Sequence, residues 1–252
     1  MNKDILNYFP LNRPLKIPTY FKQIKIDVGL SHNAPNSYLW LKDKETIVLG
    51  FEPNPRALEM LKRLIDPPYF LPERLELSDI ESERIIIFPI ALSNTEREAI
   101  FYGVKDNVSK DLVGYDLGSS SLLEPKNYTY EKYPVQIFRL DSVLSFIDLG
   151  SLKAIDHLKV DAQGEDFKIV KGCGGYLKKI IYITVEKSVG EAYYVNGASP
   201  TKLQEFFDRY SFYFYMVRNG FIPFYFSHGN VSFINFRFLF SKNRSKFLIY
   251  DF

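Results

Sequence analysis

Two short apolar runs constrain this chain more than any other feature: Ile24-Lys-Ile-Asp-Val28, which closes on Gly29, and Ile47-Val-Leu-Gly-Phe51, which closes on Glu52. A first strand ending at a glycine turn and a second ending at a carboxylate are what a doubly wound sheet uses to hold a nucleoside. Gly29 and Glu52 stand 23 residues apart. A strand-end acid about 20 residues beyond such a turn normally accepts hydrogen bonds from a ribose diol. The pair points to a nucleoside cofactor.

Elsewhere β-rich runs alternate with helical patterns, which argues for an α/β fold with a mostly parallel sheet covered on both faces. The spacing predicts strands at 24–28, 47–51, 84–88, 135–140, 157–161 and 180–186, with a further β-like run at 99–104. It predicts helices near 37–41, after Asn54 with Ala57, Leu58, Leu61 and Leu64 on one face, from 142, at 167–170 and at 201–210, the last capped by Ser199 and Pro200. Pro53 and Pro55 suit a helix start because first-turn amides lack intrahelical partners. Asp141 reads as the N-cap of the helix at 142. The aromatic tail reads as strands at 212–217, 221–226 and 231–240, an antiparallel hairpin whose rings pack strands rather than stack bases.

A chain of 252 residues, 46% hydrophobic, is long enough for one large core. It is read as a single domain, with an N-terminal extension at 1–20, a catalytic core at 21–240 and a tail at 241–252. Lysine plus arginine total 32 against 30 acidic residues, so no electrostatic footprint for nucleic acid stands out. The cluster Lys242, Arg244 and Lys246 reads as a solvated turn. A single cysteine, Cys173, excludes an internal disulfide and a cysteine-based zinc site. No long apolar stretch follows the charge in Met1–Pro10, so neither a signal peptide nor a membrane span is expected, and the compartment is expected to be cytoplasmic.

Ligands in open α/β sheets rest outside the carboxyl ends of strands. Those ends are Asp27 to Ser31, Glu52 to Asn54, Ile90 to Ser93, Asp161 to Glu165, and Glu186, and four of the five groups carry a carboxylate. A dinucleotide would need the Gly-x-Gly-x-x-Gly turn so that backbone amides reach a pyrophosphate. Here the turn is Gly29-Leu-Ser-His-Asn-Ala34, with one glycine, and Asp27 sets a negative charge beside it. An acidic first turn suits a cofactor without phosphate and with a cationic centre, S-adenosylmethionine.

Seven segments in order, Ile26-Asp-Val-Gly29, Gly50-Phe-Glu-Pro-Asn-Pro55, Pro89-Ile-Ala-Leu-Ser93, Gly118-Ser-Ser-Ser-Leu122, Leu140-Asp-Ser-Val-Leu144, Leu158-Lys-Val-Asp-Ala-Gln-Gly-Glu165 and Val185-Glu186, resemble the FkbM family of S-adenosylmethionine-dependent methyltransferases. The resemblance covers about two-thirds of the chain. It implies a Rossmann-like class I methyltransferase fold and O-methyl transfer, mostly onto sugars and glycoside-type acceptors. Two departures stand out: Asn33 lies near the place of the family's second glycine, where a left-handed backbone is expected, and Gln163 replaces the commoner glutamate.

By the same resemblance Asp27, Gly29 and Ser31 line the methionine end of the cofactor, Glu52 takes the ribose hydroxyls with Asn54 beside it, Ile90 and Ala91 flank adenine, and Asp161 faces the sulfonium and the acceptor. A sugar hydroxyl is un-ionised at neutral pH, so a positioned base must take its proton. Asp161 is the first candidate, with Glu165, Glu186 and His32 behind it, and a divalent metal on such carboxylates is an alternative way to acidify the alcohol. Glu165 reads equally well as a first-turn acid facing the helix dipole. His157, placed before its strand, and His228 read as structural. The loop 187–199 with Tyr193 and Tyr194, and the loop 118–122, are candidates to meet the acceptor or to pack. Asp66-Pro-Pro-Tyr69 matches an adenine-methylating motif but lies behind the wrong strand. The rival readings are a nicotinamide-dependent sugar oxidoreductase or epimerase, and a non-catalytic domain that binds a glycan or a partner.

Overall fold

Because side chains alternate along a strand, each run in the central sheet presents two unlike faces. Ile24, Ile26 and Val28 fall on one side of their strand and Lys25 and Asp27 on the other, yet all five are buried. The computed structural model describes residues 14–63, 74–75, 77–104, 120–125, 129–150, 152–186, 202–227, 229–240, 247 and 249. Leu64, the 66–69 motif, Gly118, the loop 187–199 with Tyr193 and Tyr194, His228 and the Lys242, Arg244 and Lys246 cluster lie outside the described residues.

In chain order the elements are β1 (Leu15–Lys16), β2 (Gln23–Val28), α1 (Pro35–Leu41), β3 (Thr46–Phe51), α2 (Pro55–Arg63), α3 (Leu77–Glu81), β4 (Ile85–Phe88), β5 (Ala91–Ser93) and β6 (Arg97–Val104). Then follow β7 (Tyr130–Arg139), α4 (Leu140–Ser145), β8 (Ile147–Asp148), β9 (Ile155–Val160), α5 (Asp166–Lys171), β10 (Ile180–Glu186), α6 (Lys202–Arg218), β11 (Phe221–Phe226) and β12 (Asn230–Asn235). Seven strands form one sheet in the order β11-β12-β10-β9-β2-β3-β4. Neighbours from β10 to β4 run parallel, while β12 pairs antiparallel with β10 and with β11. A second sheet, β5-β7-β6, stands beside it. The chain builds outward from β2 to β4 and later resumes at β9 on the other side of β2. That reversal opens a crevice at the carboxyl ends of β2 and β9, the usual ligand position in such sheets.

The main core lies between the sheet and the helices that follow β7 and β9. Ile26, Leu158, Val160, Ile183 and Phe233 meet Leu140 and Val143 of α4, Ile169 and Val170 of α5, and Phe212 and Met216 of α6. A smaller cluster on the opposite face joins Trp40 and Leu41 of α1 to Leu30, Val48 and Ile85. Among the described residues, no helix is long and apolar enough to cross a membrane.

Four local expectations need correction. Residues 212–217 are the second half of α6, not a strand. Phe212 and Met216, one helical turn apart, are buried while Phe214 and Val217 are exposed, a 3.6-residue period rather than a period of two. The expected strand 231–240 stops at Asn235, whose side chain accepts the amide of Arg237 and turns Phe236–Phe238 into a 3-10 helix. Arg139, not Asp141, is the N-cap of α4; Asp141 sits inside the first turn, with the Arg139 guanidinium donating to it at 2.8 Å. His157 lies within β9, is 1% exposed, and packs against the Trp40 and Tyr182 rings, so its structural reading stands in a different place from the one expected.

Candidate functional site

Gly29 makes the crevice possible. Its φ of 80° is one that side chains rarely adopt, and a Cβ there would lie 1.9 Å from the backbone oxygen of Asp161. The ends of β2 and β9 therefore touch through main chain, tied by the Asp161 amide donating to the Val28 carbonyl at 3.0 Å. Beyond Gly29 the turn keeps its shape with Ser31 at φ 55° and Ala34 at φ 47°. Asn33 is not among the left-handed residues; its carbonyl instead accepts the amide of Leu75 at 3.1 Å. Placing the left-handed residue at Asn33 is thus corrected to its neighbours.

The turn exists in this form because Glu52 holds it. Glu52, 5% exposed at the end of β3, accepts the Ser31 amide on Oε2 at 2.7 Å and the Asn54 amide on Oε1 at 2.8 Å. Burial outweighs these two donors and pushes its carboxyl up to about 7. Each oxygen keeps a further lone pair for hydroxyl donors. Asn54 is buried: its oxygen caps α2 through the Arg56 amide at 3.0 Å and its Nδ2 donates to Ser120 Oγ at 3.1 Å. It shapes the cleft from behind and is not part of the lining.

The cleft itself holds about 600 Å³ of empty space counted out into open solvent. Gly29, Ser31, Glu52, Ile90, Ala91, Asp161 and Glu165 all line it, as do Leu122 of the candidate loop 118–122 and Phe51 and Phe101, which were not singled out in the sequence. Phe101 comes from β6 and Leu122 from the segment after it, so the second sheet supplies one wall. Ser120 and Ser121, expected as acceptor hydroxyls or a turn, fasten that wall. Ser120 Oγ accepts the Val104 amide at 3.0 Å, and Ser121 Oγ donates to the Gln163 carbonyl at 2.7 Å.

Asp27, His32 and Glu186 do not line the cleft. Asp27 lies beneath its floor, 1% exposed, with Oδ2 accepting the Ser37 hydroxyl at 2.6 Å and amide at 3.1 Å. Burial raises its carboxyl above the ordinary range against the pull of Lys159 and Ser37. His32 Nδ1 sits 3.1 Å from Ser31 Oγ. Glu165 is the N-cap residue of α5 and makes no side-chain cap bond there. Its Oε2 accepts Ser93 Oγ and its Oε1 accepts Lys168 Nζ, both at 2.6 Å, so it straps α5 to β5.

Asp161 is the carboxylate with room to act, its side chain 34% exposed. Lys159 donates to its Oδ2 at 3.1 Å and Gln163 Nε2 to its Oδ1 at 2.9 Å. Burial depresses the Lys159 ammonium, but Asp161 and Asp27 outweigh it and hold the group above its ordinary value. Asp166 accepts the Ala162 amide at 3.2 Å and the Glu186 amide at 3.3 Å, and burial with Asp161 nearby lifts it to about 6. Burial, then Asp161 and Asp166, push Glu186 up to about 8. Lys159 and Asp166 were missed because their roles depend on cross-strand neighbours that no local motif encodes. Among the described residues, no group of three or more His, Cys, Asp or Glu is arranged to hold a metal ion.

A glycine at the switch point, a buried acid gripping the first turn, and an apolar wall opposite a partly exposed aspartate meet in one cleft. Comparison with curated proteins gave no match. The family model for the methyltransferase FkbM domain matches residues 25–222, from β2 through the start of β11, and so includes every element of the cleft. This chain belongs to the FkbM methyltransferase family.

Proposed function

We propose that the chain is an S-adenosylmethionine-dependent O-methyltransferase of Rossmann-like class I architecture, acting on a hydroxyl of a sugar or glycan-type acceptor. The observation that carries this reading is Glu52, whose two oxygens are each fixed by one backbone amide and turned into a cleft with no glycine-rich phosphate cradle. Ribose hydroxyls complete its hydrogen bonding, Ile90, Ala91 and Phe101 give adenine an apolar slot, and Asp161 meets the cationic end. A pyrophosphate in the same place would face Glu52 and Asp161, which argues against a nicotinamide cofactor.

Bound there, the cofactor supplies a methyl group activated by a positively charged sulfur. Asp161, held by Lys159 and Gln163, would receive the acceptor's proton as the acceptor oxygen displaces sulfur from the methyl carbon, the carbon–sulfur pair leaving with sulfur as the carbon–oxygen bond forms. Alignment of acceptor oxygen, methyl carbon and sulfur supplies much of the rate in such a displacement. The test is twofold. S-adenosylhomocysteine should raise the melting temperature while NAD leaves it unchanged, and a glycan-acceptor screen read by intact mass should find a gain of one methyl. Stabilisation by NAD alone refutes the cofactor, and methyl gain on no hydroxyl acceptor refutes the chemistry.

A further inference from the structure

We infer that Gln163 is a positioning residue: its side-chain amide ties Asp161, beyond β9, to Glu186, at the end of β10, and holds the two carboxylates as one proton-sharing pair beside the cleft. Gln163 Nε2 donates to Asp161 Oδ1 at 2.9 Å and to Glu186 Oε2 at 3.2 Å. An amide nitrogen carries two hydrogens, so each serves one carboxylate from a different strand. The backbone is bent to allow this. Gln163 has φ 48° and Gly164 φ 107°, and Ser121 Oγ fixes the Gln163 carbonyl from across the cleft at 2.7 Å. A left-handed non-glycine residue persists where its surroundings over-determine it, and such residues cluster at functional sites.

The charges around the tie explain its use. Asp166 accepts the Glu186 amide, and among the described residues Lys159 is the cation acting on Glu186 and also on Asp27, Glu52, Asp161 and Asp166, so one ammonium serves five carboxylates. Carboxylates this close cannot all ionise. Burial, with Asp161 and Asp166 nearby, favours the protonated form at Glu186, while Asp161 takes donors from Lys159 and Gln163. A neutral amide at 163 supplies two N–H donors without adding a further negative charge.

The consequence for turnover rests on the methyl-transfer reading; the tie itself does not. Gln163→Asn suits a left-handed backbone and is too short to span both carboxylates, and Gln163→Leu removes both donors. Carbon-detected NMR titration of the Glu186 carboxyl tests the tie. With Gln163 in place, Asp161→Asn should lower the Glu186 midpoint by about one pH unit. In the Gln163→Asn and Gln163→Leu backgrounds the same replacement should move it by less than half as much. Equal displacement in all backgrounds overturns the tie. In turnover, Gln163→Asn should lower kcat on the order of tenfold, with KM for S-adenosylmethionine and melting temperature unchanged. An unchanged kcat in a decoupled variant overturns the positioning role. If the wild type neither binds S-adenosylhomocysteine nor transfers methyl, the functional reading fails while the titration still decides the tie.

Discussion

The two faces of the central sheet are built from the same strands and differ in almost everything else. On one, Ile26, Val28, Leu158, Val160, Ile183, Val185 and Phe233 make a continuous apolar surface under α4, α5 and α6. On the other, Lys25, Asp27, His157, Lys159, Thr184 and Ser232 are all buried, none more than 6% exposed. Most of these polar groups are matched: His157 Nε2 lies 2.9 Å from Thr184 Oγ1, which lies 2.8 Å from Ser232 Oγ, and the Lys25 ammonium sits 5.4 Å from the Trp40 ring centroid. Among the described residues, Asp27 Oδ1 and His157 Nδ1 find no hydrogen-bond partner. Burying such groups costs stability, so the first face supports the fold and the second uses part of that support to hold charges next to the cleft.

The sharpest way to break this comparison is to weaken the apolar face alone. Leu158→Ala, fully buried between β2 and β10, should cost about 3 kcal/mol in denaturant unfolding and leave S-adenosylhomocysteine affinity nearly unchanged at temperatures where the variant stays folded. Similar losses of affinity and stability would mean that the faces are not separable.

Glu52→Gln should do the reverse. It should weaken S-adenosylhomocysteine binding by on the order of tenfold to a hundredfold in calorimetry, at a smaller cost to the unliganded fold than the core variant, about 1 kcal/mol for the one backbone amide whose acceptor is lost. A carboxyl whose folded value rises from 4.5 to about 7 favours folding below pH 4.5, and that contribution is lost as pH rises through about 7. Wild-type stability relative to the Gln variant should therefore fall across this window by up to about 3 kcal/mol. A pH-independent difference would contradict the burial cause. Ribose hydroxyls favour the ionised form, so wild-type affinity should tighten as pH rises through 7.

Thr184→Val is the mildest probe. Removing the hydroxyl between His157 and Ser232 should cost about 1 to 2 kcal/mol in thermal or denaturant unfolding, with no change in cofactor affinity. A stabilised variant would show that this buried chain is not holding the polar face together.

The strands and the strand-end acid that holds the first turn were legible because they are written locally. β2, β3 and β10 follow from apolar runs bounded by turn residues, and Glu52 was found from its place at a strand end. The stretch 212–217 was misread because six residues with aromatics at nearly every position fit both periods, and only the burial of Phe212 and Met216 distinguishes them. Contacts across the sequence were out of reach. Ser121 meets Gln163 over 42 positions and Asn54 meets Ser120 over 66, and no spacing rule announces either. Glu165 carries the right chemistry for a base, but folding gives its oxygens to Ser93 and Lys168.

The contact between Gly29 and the peptide oxygen of Asp161 limits how this scaffold can diversify. Since any side chain at position 29 would collide with that oxygen, main-chain atoms set the gap between the two strand ends, and mutation cannot retune it. A lineage adapting this cleft to larger or smaller ligands must work on the residues around that fixed aperture.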